Sequence, residues 1–346
     1  MGFRGNGARS AAQRALPSGM AAVLALTNPH AQGGRLRRSA PALARALALR
    51  APQAHWALPD TVAEALHLIQ HQPPGTRVLA FGGDGTVNRW LPALRAGDHT
   101  LALVPMGSGN DLARALGLHG LALTAALECA LTSPESFMDV GEVVLQEGPG
   151  DGSTGFPPHP GIDTQISCAV PFHSSLAVGF DASVGLRALR GPPWLRGQPR
   201  YLWATLKELF ALRHWGLRIA VDGGPAWQGR VLLASTLNTR SYGSGMPAAP
   251  AARIDDGRLE LLRAGAMGRG GVLTLLPRLL CGTHLSHPRV ALQPFQILEV
   301  QAAEPVPLAV DGEYLGAFTR FSVRVLPAAL RVVRAQHPTK SMDTGK

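Results

Sequence analysis

Lysine is almost absent from this chain of 346 residues: only Lys207, Lys340 and Lys346 carry it, so the 33 basic residues are nearly all arginine. Neither of the chain's two glycine-rich strand-to-helix turns contains a lysine, which excludes a Walker-type phosphate loop. Cysteine is equally sparse. Cys129, Cys168 and Cys281 are odd in number and far apart, which argues against a disulfide framework and suits a reducing, cytoplasmic setting. No apolar run reaches the roughly 20 residues of a membrane span. No Gly-x-Ser-x-Gly elbow occurs, which argues against an α/β-hydrolase.

Acidic residues are missing before Asp60, while Arg4, Arg9 and Arg14 precede the apolar "MAAVLAL". That order resembles a leader or transit segment. The plainer reading makes "AAVLALTNP" the first buried strand, leaves residues 1–17 as a disordered tail and allows Met20 as the true start.

What is present is apolar content of 46%, charged content of only 16%, and a net charge of +10. The first two values describe a folded globular protein, and the third favours anionic partners: nucleotides, nucleic acid or an acidic membrane surface. The length suffices for two cores.

The pattern changes near Pro134. From about 18 to 135, short apolar runs alternate with helical spacing, as in "TRVLAFGG", "TVNRWLPAL" and "TLALVPMGSG", and predict a doubly wound parallel sheet. From 136 to 330 the segments are β-like and punctuated by turns, including "FMDVGEVVLQ", "GRVLLASTLN" and "VPLAVDGEYLG". They predict a mostly antiparallel, β-sandwich-like second domain. Residues 147–161 read as a flexible insertion, and 331–346 as a tail or a return to the first domain. The stretch "RYLWATLKELFALRHW" places Tyr201, Leu202, Leu206, Leu209 and Phe210 at helical spacing, either to pack on the sheet or to face lipid.

Two glycine turns follow predicted strands: Gly82-Gly83-Asp84-Gly85-Thr86 and Gly107-Ser108-Gly109-Asn110-Asp111. Each lets backbone N–H groups approach an anion at a helix N-terminus. Asp84 and Asp111 serve either as helix caps or as parts of a nucleotide site. Cys281, His284 and His287, and separately His67 and His71, have metal-ligand chemistry but incomplete ligand sets.

The motifs "GGDGTVN", "PMGSGNDLA", "DVGEV", "AVGFDASVG", "LNTRSYGSGMPAAPAARIDDGRLEL" and "VDGE" stand in the order seen in the diacylglycerol kinase catalytic-domain family. The chain resembles that family over roughly residues 20–330. The resemblance implies an ATP- and Mg²⁺-dependent lipid kinase with nucleotide in the interdomain cleft. It implies an ATP-binding loop of Gly82, Gly83, Asp84, Gly85, Thr86, Val87, Asn88 and Arg89, with Asn28, Gly107, Ser108 and Asn110 as further nucleotide contacts. Asp84, Asp111 and Asp139 would hold the catalytic Mg²⁺, and Asp256 of the "DDG" turn a structural one. Glu313 would be the general base, with Asp311 beside it.

A carboxylate among phosphate-binding glycines makes sense if a cation lies between it and the phosphates. This sequence departs from the family pattern at Ala31-Gln32, at Arg89, where glutamate is common, and at Arg253, where some members have aspartate. Pro92 predicts a short or kinked helix after the first turn. The implied partners are a diacylglycerol-like membrane lipid and an anionic inner membrane face, bound peripherally. No nucleic-acid motif appears, and homodimerisation is possible. An NAD kinase, which shares "GGDGT", and an inactive lipid-binding module of the same fold are the alternative readings.

Overall fold

In a computed structural model that describes residues 22–107, 109–147, 168–192, 194–195 and 198–335, the apolar runs of the first half become parallel strands. These are β1 (Val23–Thr27), β2 (His55–Ala57), β3 (Arg77–Gly82) and β4 (Thr100–Pro105), paired in the order β2-β1-β3-β4. β1 and β3 are buried at every residue, as strands covered on both faces must be.

The intervening helices supply that cover. α1 (Arg35–Ala48) buries Leu36, Ala40, Leu43 and Leu47, one face at helical spacing. With α5 (Leu123–Thr132) it closes one side of the sheet. α2 (Val62–Gln70) and α3 (Asp84–Ala96) close the other. Thr61 caps α2 by accepting from the Glu64 amide at 3.1 Å. α3 runs through Pro92 for 13 residues, so the expectation of a short helix is corrected. A proline removes one amide donor, and the buried side chains of Trp90, Leu91, Ala93 and Leu94 on either side keep the segment packed. α4 (Asp111–Ala115) follows the second glycine turn.

The second half is antiparallel, as expected. It comprises β5 (Glu135–Glu147), β6 (Cys168–Phe172), β7 (Ser175–Val178), α6 (Phe180–Leu189), α7 (Gln198–Phe210), β8 (Trp215–Val221), β9 (Trp227–Leu237), β10 (Leu259–Gly265), α8 (Arg269–Leu280), β11 (Val290–Phe295), β12 (Ile297–Val310) and β13 (Glu313–Val333). Its strands surround a separate core rich in Phe172, Phe295 and Phe321. The 21-residue β13 pairs with β12 from Glu313 to Arg324 and with β5 from Arg320 to Val333. Its last residues, Arg331 and Val332, pair in parallel with Thr100 and Leu101 of β4.

The expected tail 1–17 and most of the expected insertion 147–161 lie outside the described residues. α7 forms where its spacing indicated, but of its five apolar positions only Leu209 is buried. Ala204 is the helix's other fully packed apolar residue, because a small side chain allows close approach to α6.

Candidate active site

β1 has β2 on one side and β3 on the other, so the winding reverses at the C-terminal ends of β1 and β3. Open α/β sheets leave a ligand crevice at this position. Asn28, just past β1, donates from Nδ2 to Thr86 Oγ1 at 2.9 Å. A Cβ on Gly82 would stand 2.5 Å from that same Oγ1, and one on Gly107 would stand 2.7 Å from Gly83 Cα and 2.6 Å from Asn110 Oδ1. The two turns therefore touch backbone to backbone, an approach only glycine permits. Asn110, at φ 55°, closes its own turn: Gly107 N donates to its Oδ1 at 3.0 Å and its Nδ2 donates to Gly107 O at 2.7 Å.

Asp84 does not cap its own helix. Its carboxylate accepts from the amides of Asp111 and Leu112 at 3.0 and 3.1 Å and so caps α4 of the neighbouring unit. The Asp111 carboxylate passes the connection on, accepting from Ser241 Oγ, Ser244 N and Gly245 N at 2.8–3.0 Å. Burial pushes the Asp111 carboxyl above its ordinary value and the charge of Asp84 adds to this, while the bonds from Ser244, Ser241 and Gly245 oppose it.

The hairpin between β12 and β13 turns on two residues, Asp311 and Gly312, at φ 46° and 89°, the two positive φ values an Asp-Gly type I′ turn requires. The Asp311 side chain is fully buried and accepts from Ser174 N and Ser175 N at 2.8 and 3.0 Å. It also accepts from His173 N and from Asn88 Nδ2, both at 2.9 Å. Glu313 is thereby carried to the first glycine turn, where its Oε1 would lie 3.6 Å from a Cβ on Gly85. Arg89 Nη2 donates to that Oε1 at 3.0 Å.

Several expected roles are corrected. Asp311 cannot touch a reacting group with its carboxylate enclosed by three backbone amides and Asn88, so it is a positioning residue. Val87 lies in the core at 0% exposure, and Asn88 spends its amide on Asp311, so neither side chain lines the crevice. Asp139 does not join Asp84 and Asp111. It is 2% exposed, and its carboxylate accepts from Gly257 N and Ala328 N at 2.7 and 2.8 Å, which fastens the "DDG" turn to β13. Among the described residues, Asp256 accepts only the nearby Arg258 amide, at 3.1 Å. Its neighbour Asp255 is matched by Arg334 at 2.9 Å and Arg253 at 3.4 Å, so the local negative charge that would attract a structural cation is already neutralised.

Among the described residues no three acidic, histidine or cysteine side chains gather as a metal cluster. Neither histidine-containing candidate gains a further ligand among the described residues. His284 is buried with Nε2 at 2.8 Å from Ala248 O, while Cys281 is exposed; the His67 and His71 rings lie 3.9 Å apart, tilted by 41°. Ser108 lies outside the described residues. His173 escaped the sequence reading. It is wholly buried, with Nε2 3.1 Å from Asp84 O and 3.4 Å from Asp311 Oδ2. The one signal for it was a polar residue inside the apolar run "VPFHSSLAV".

Asp84 and Asp111 fit a nucleotide-borne Mg²⁺. Burial and the neighbouring charge of Asp84 both disfavour the ionised Asp111 carboxylate, and a cation between the two would offset this. Magnesium at such sites is held by one or two carboxylates together with substrate phosphates and water, so a three-carboxylate cage is unnecessary.

Residues 22–143 match the family model described as the diacylglycerol kinase catalytic domain, and residues 174–334 match the YegS C-terminal NAD kinase beta sandwich-like domain. A Mycobacterium tuberculosis protein named diacylglycerol kinase is 30% identical over 317 residues, covering 91% of this chain and 96% of that one. The chain belongs to the diacylglycerol kinase family. A Bacillus subtilis diacylglycerol kinase is 26% identical over 244 residues, with 69% and 71% coverage. In fold, the chain is similar to a diacylglycerol kinase crystal structure from Bacillus anthracis, with a TM-score of 0.63, 17% identity, and 92% and 98% coverage. Membership brings with it the reaction class, that of an ATP-dependent lipid kinase.

Proposed function

We propose that this kinase phosphorylates a hydroxyl of a diacylglycerol-like membrane lipid, with Glu313 as the general base and Mg²⁺·ATP held at the two glycine turns. The observation that carries this reading is the approach of Glu313 Oε1 to the Gly85 turn, since a base must come within hydrogen-bond reach of the hydroxyl it deprotonates.

The N-terminus of α3 offers backbone amides and the positive end of its dipole to the phosphates, and Gly83 and Gly107 clear the space for them. Asp84 and Asp111 would hold Mg²⁺, which supplies charge neutralisation at the transferring phosphoryl group. Glu313 accepts the lipid hydroxyl proton. Arg89 is free to exchange Glu313 for a phosphate oxygen, which releases the carboxylate for that task. Asp311 and Asn88 hold the hairpin so that the base arrives in register. The surplus of arginine would attach the enzyme peripherally to the anionic inner face of the membrane; among the described residues no helix is long and apolar enough to cross it.

The test is radiolabelled ATP with a total lipid extract and, in parallel, with NAD, using wild type and Glu313→Gln. Label in a lipid that falls roughly 10²-fold or more in the variant, while nucleotide affinity holds, is the expected outcome. Equal turnover by the variant removes Glu313 as the base, and label in NAD alone removes the lipid.

A further inference from the structure

Among the described residues, six of the thirteen exposed large apolar side chains lie within residues 189–210: Leu189, Trp194, Tyr201, Leu202, Leu206 and Phe210. On α7, Leu202, Leu206 and Phe210 repeat at i, i+4 and i+8 and form one stripe, exposed by 61%, 43% and 74%. The opposite side of the same helix is well seated. Ala204 and Leu209 are buried, Glu208 accepts from Arg187 of α6 at 2.5 Å, and Arg269 of α8 donates to the carbonyls of Leu209 and Phe210 at 3.2 and 2.9 Å. The stripe is therefore the outer face of a fixed helix. A contiguous apolar face of this kind on a rigid element marks an interaction surface.

Its charge setting narrows the partner. Residues 187–213 contain Arg187, Arg190, Arg196, Arg200, Lys207 and Arg213 against the single acid Glu208. An apolar stripe with basic flanks and an aromatic residue at the preceding turn, here Trp194 at 77% exposure, has the chemistry of a helix lying in the interface of an anionic bilayer. A protein partner would have to bring acidic groups to the same rim.

We propose that the Leu202–Leu206–Phe210 face of α7 seats in the headgroup and acyl boundary of an anionic membrane. This deepens the lipid-kinase reading and rests on it for its purpose. Its test does not depend on turnover. Attachment through charge alone would vanish at high salt, whereas an apolar seat is not screened.

Co-sedimentation with vesicles of phosphatidylcholine and about one quarter phosphatidylglycerol is measured in the absence of ATP, at low salt and at about 0.5 M salt. Wild type is expected to keep part of its binding at the higher salt. The triple variant Leu202→Ser, Leu206→Ser, Phe210→Ser is expected to lose roughly tenfold or more in vesicle affinity at low salt and to release fully at high salt. Its unfolding temperature should match wild type, because none of the three side chains is buried. Equal vesicle binding by wild type and variant overturns the proposal. So does a wild-type dimer in sedimentation that the variant abolishes without any vesicle binding, which would make the face a contact between copies. If vesicle binding follows the stripe but no lipid gains phosphate, the kinase reading alone fails.

Discussion

Asn88 Nδ2 donates to Asp311 Oδ2 at 2.9 Å, joining two residues 223 positions apart and tying the helix after the first glycine turn to the hairpin that presents Glu313. Asp311 is buried with four donors around it, so removing its carboxylate leaves backbone amides without partners, at about 1–3 kcal/mol apiece. Asp311→Ala should therefore lower the unfolding temperature and reduce turnover together, the latter by roughly 10²-fold through misplacement of Glu313. Glu313→Gln should reduce turnover alone. A thermal melt of Asp311→Ala that superimposes on wild type would show the carboxylate to be dispensable for the hairpin.

Arg89 and Glu313 are 43% and 32% exposed as side chains, and a half-exposed pair of this kind contributes at most about 1 kcal/mol. Arg89→Gln should melt close to wild type. If Arg89 leaves Glu313 for a phosphate oxygen when nucleotide binds, the KM for ATP should rise roughly tenfold. An unchanged KM would restrict Arg89 to holding the carboxylate at rest.

The two glycine turns give contrasting expectations. A Cβ at Gly107 would collide with Gly83 Cα at 2.7 Å, whereas one at Gly85 would meet Glu313 Oε1 at 3.6 Å, an ordinary contact. Gly107→Ala should force the turns apart, abolish nucleotide binding and cost about 1–3 kcal/mol, while Gly85→Ala should fold as wild type. Thermal melts and titration with a fluorescent ATP analogue report both quantities. Equal stability of the two variants would contradict the backbone contact.

Asp181 is enclosed in the second core, where burial raises its carboxyl to about 6 despite the bonds it accepts from Ser235 and Ala182. Between the ordinary value of 3.8 and about 6 the folded protein holds a proton that the unfolded chain has released. Stability therefore falls as pH rises through that window, by on the order of 3 kcal/mol at neutral pH. Asp181→Asn, with no proton to lose, should gain on wild type as pH goes from about 4 to 7. A stability difference that stays flat across this range would show that Asp181 does not titrate there.

The parallel strands and the glycine turns were legible because their signals are local: strands buried on both faces read as unbroken apolar runs, and close backbone approach demands glycine. The wiring between them was not. Asp139 carries the residue type of a metal ligand, and its partners, Gly257 N and Ala328 N, become visible only once β13 lies beside β5. The role of His173 likewise depends on the turn of residues 173–175 meeting Asp311. α8 was missed because its Gly270, Gly271 and Pro277 are poor helix formers, and α6 because "GFDASVG" carries glycine and β-branched valine. The run "VPLAVDGEYLG" marks only the end of β12, since register shifts between Gln301 and Val306 and again between Leu308 and Ala309 break the alternation that marks a single strand.

The pairing of Arg331 and Val332 with β4 also sets the order of events during synthesis. β4 leaves the ribosome with its outer edge bare, and the strand segment that covers it lies some 230 residues further along the chain. Closing so distant a contact is slow, and an uncovered edge invites pairing with other chains in the meantime. The first half therefore cannot close its sheet as it emerges, and a nascent chain stalled short of residue 331 would leave this edge of β4 exposed.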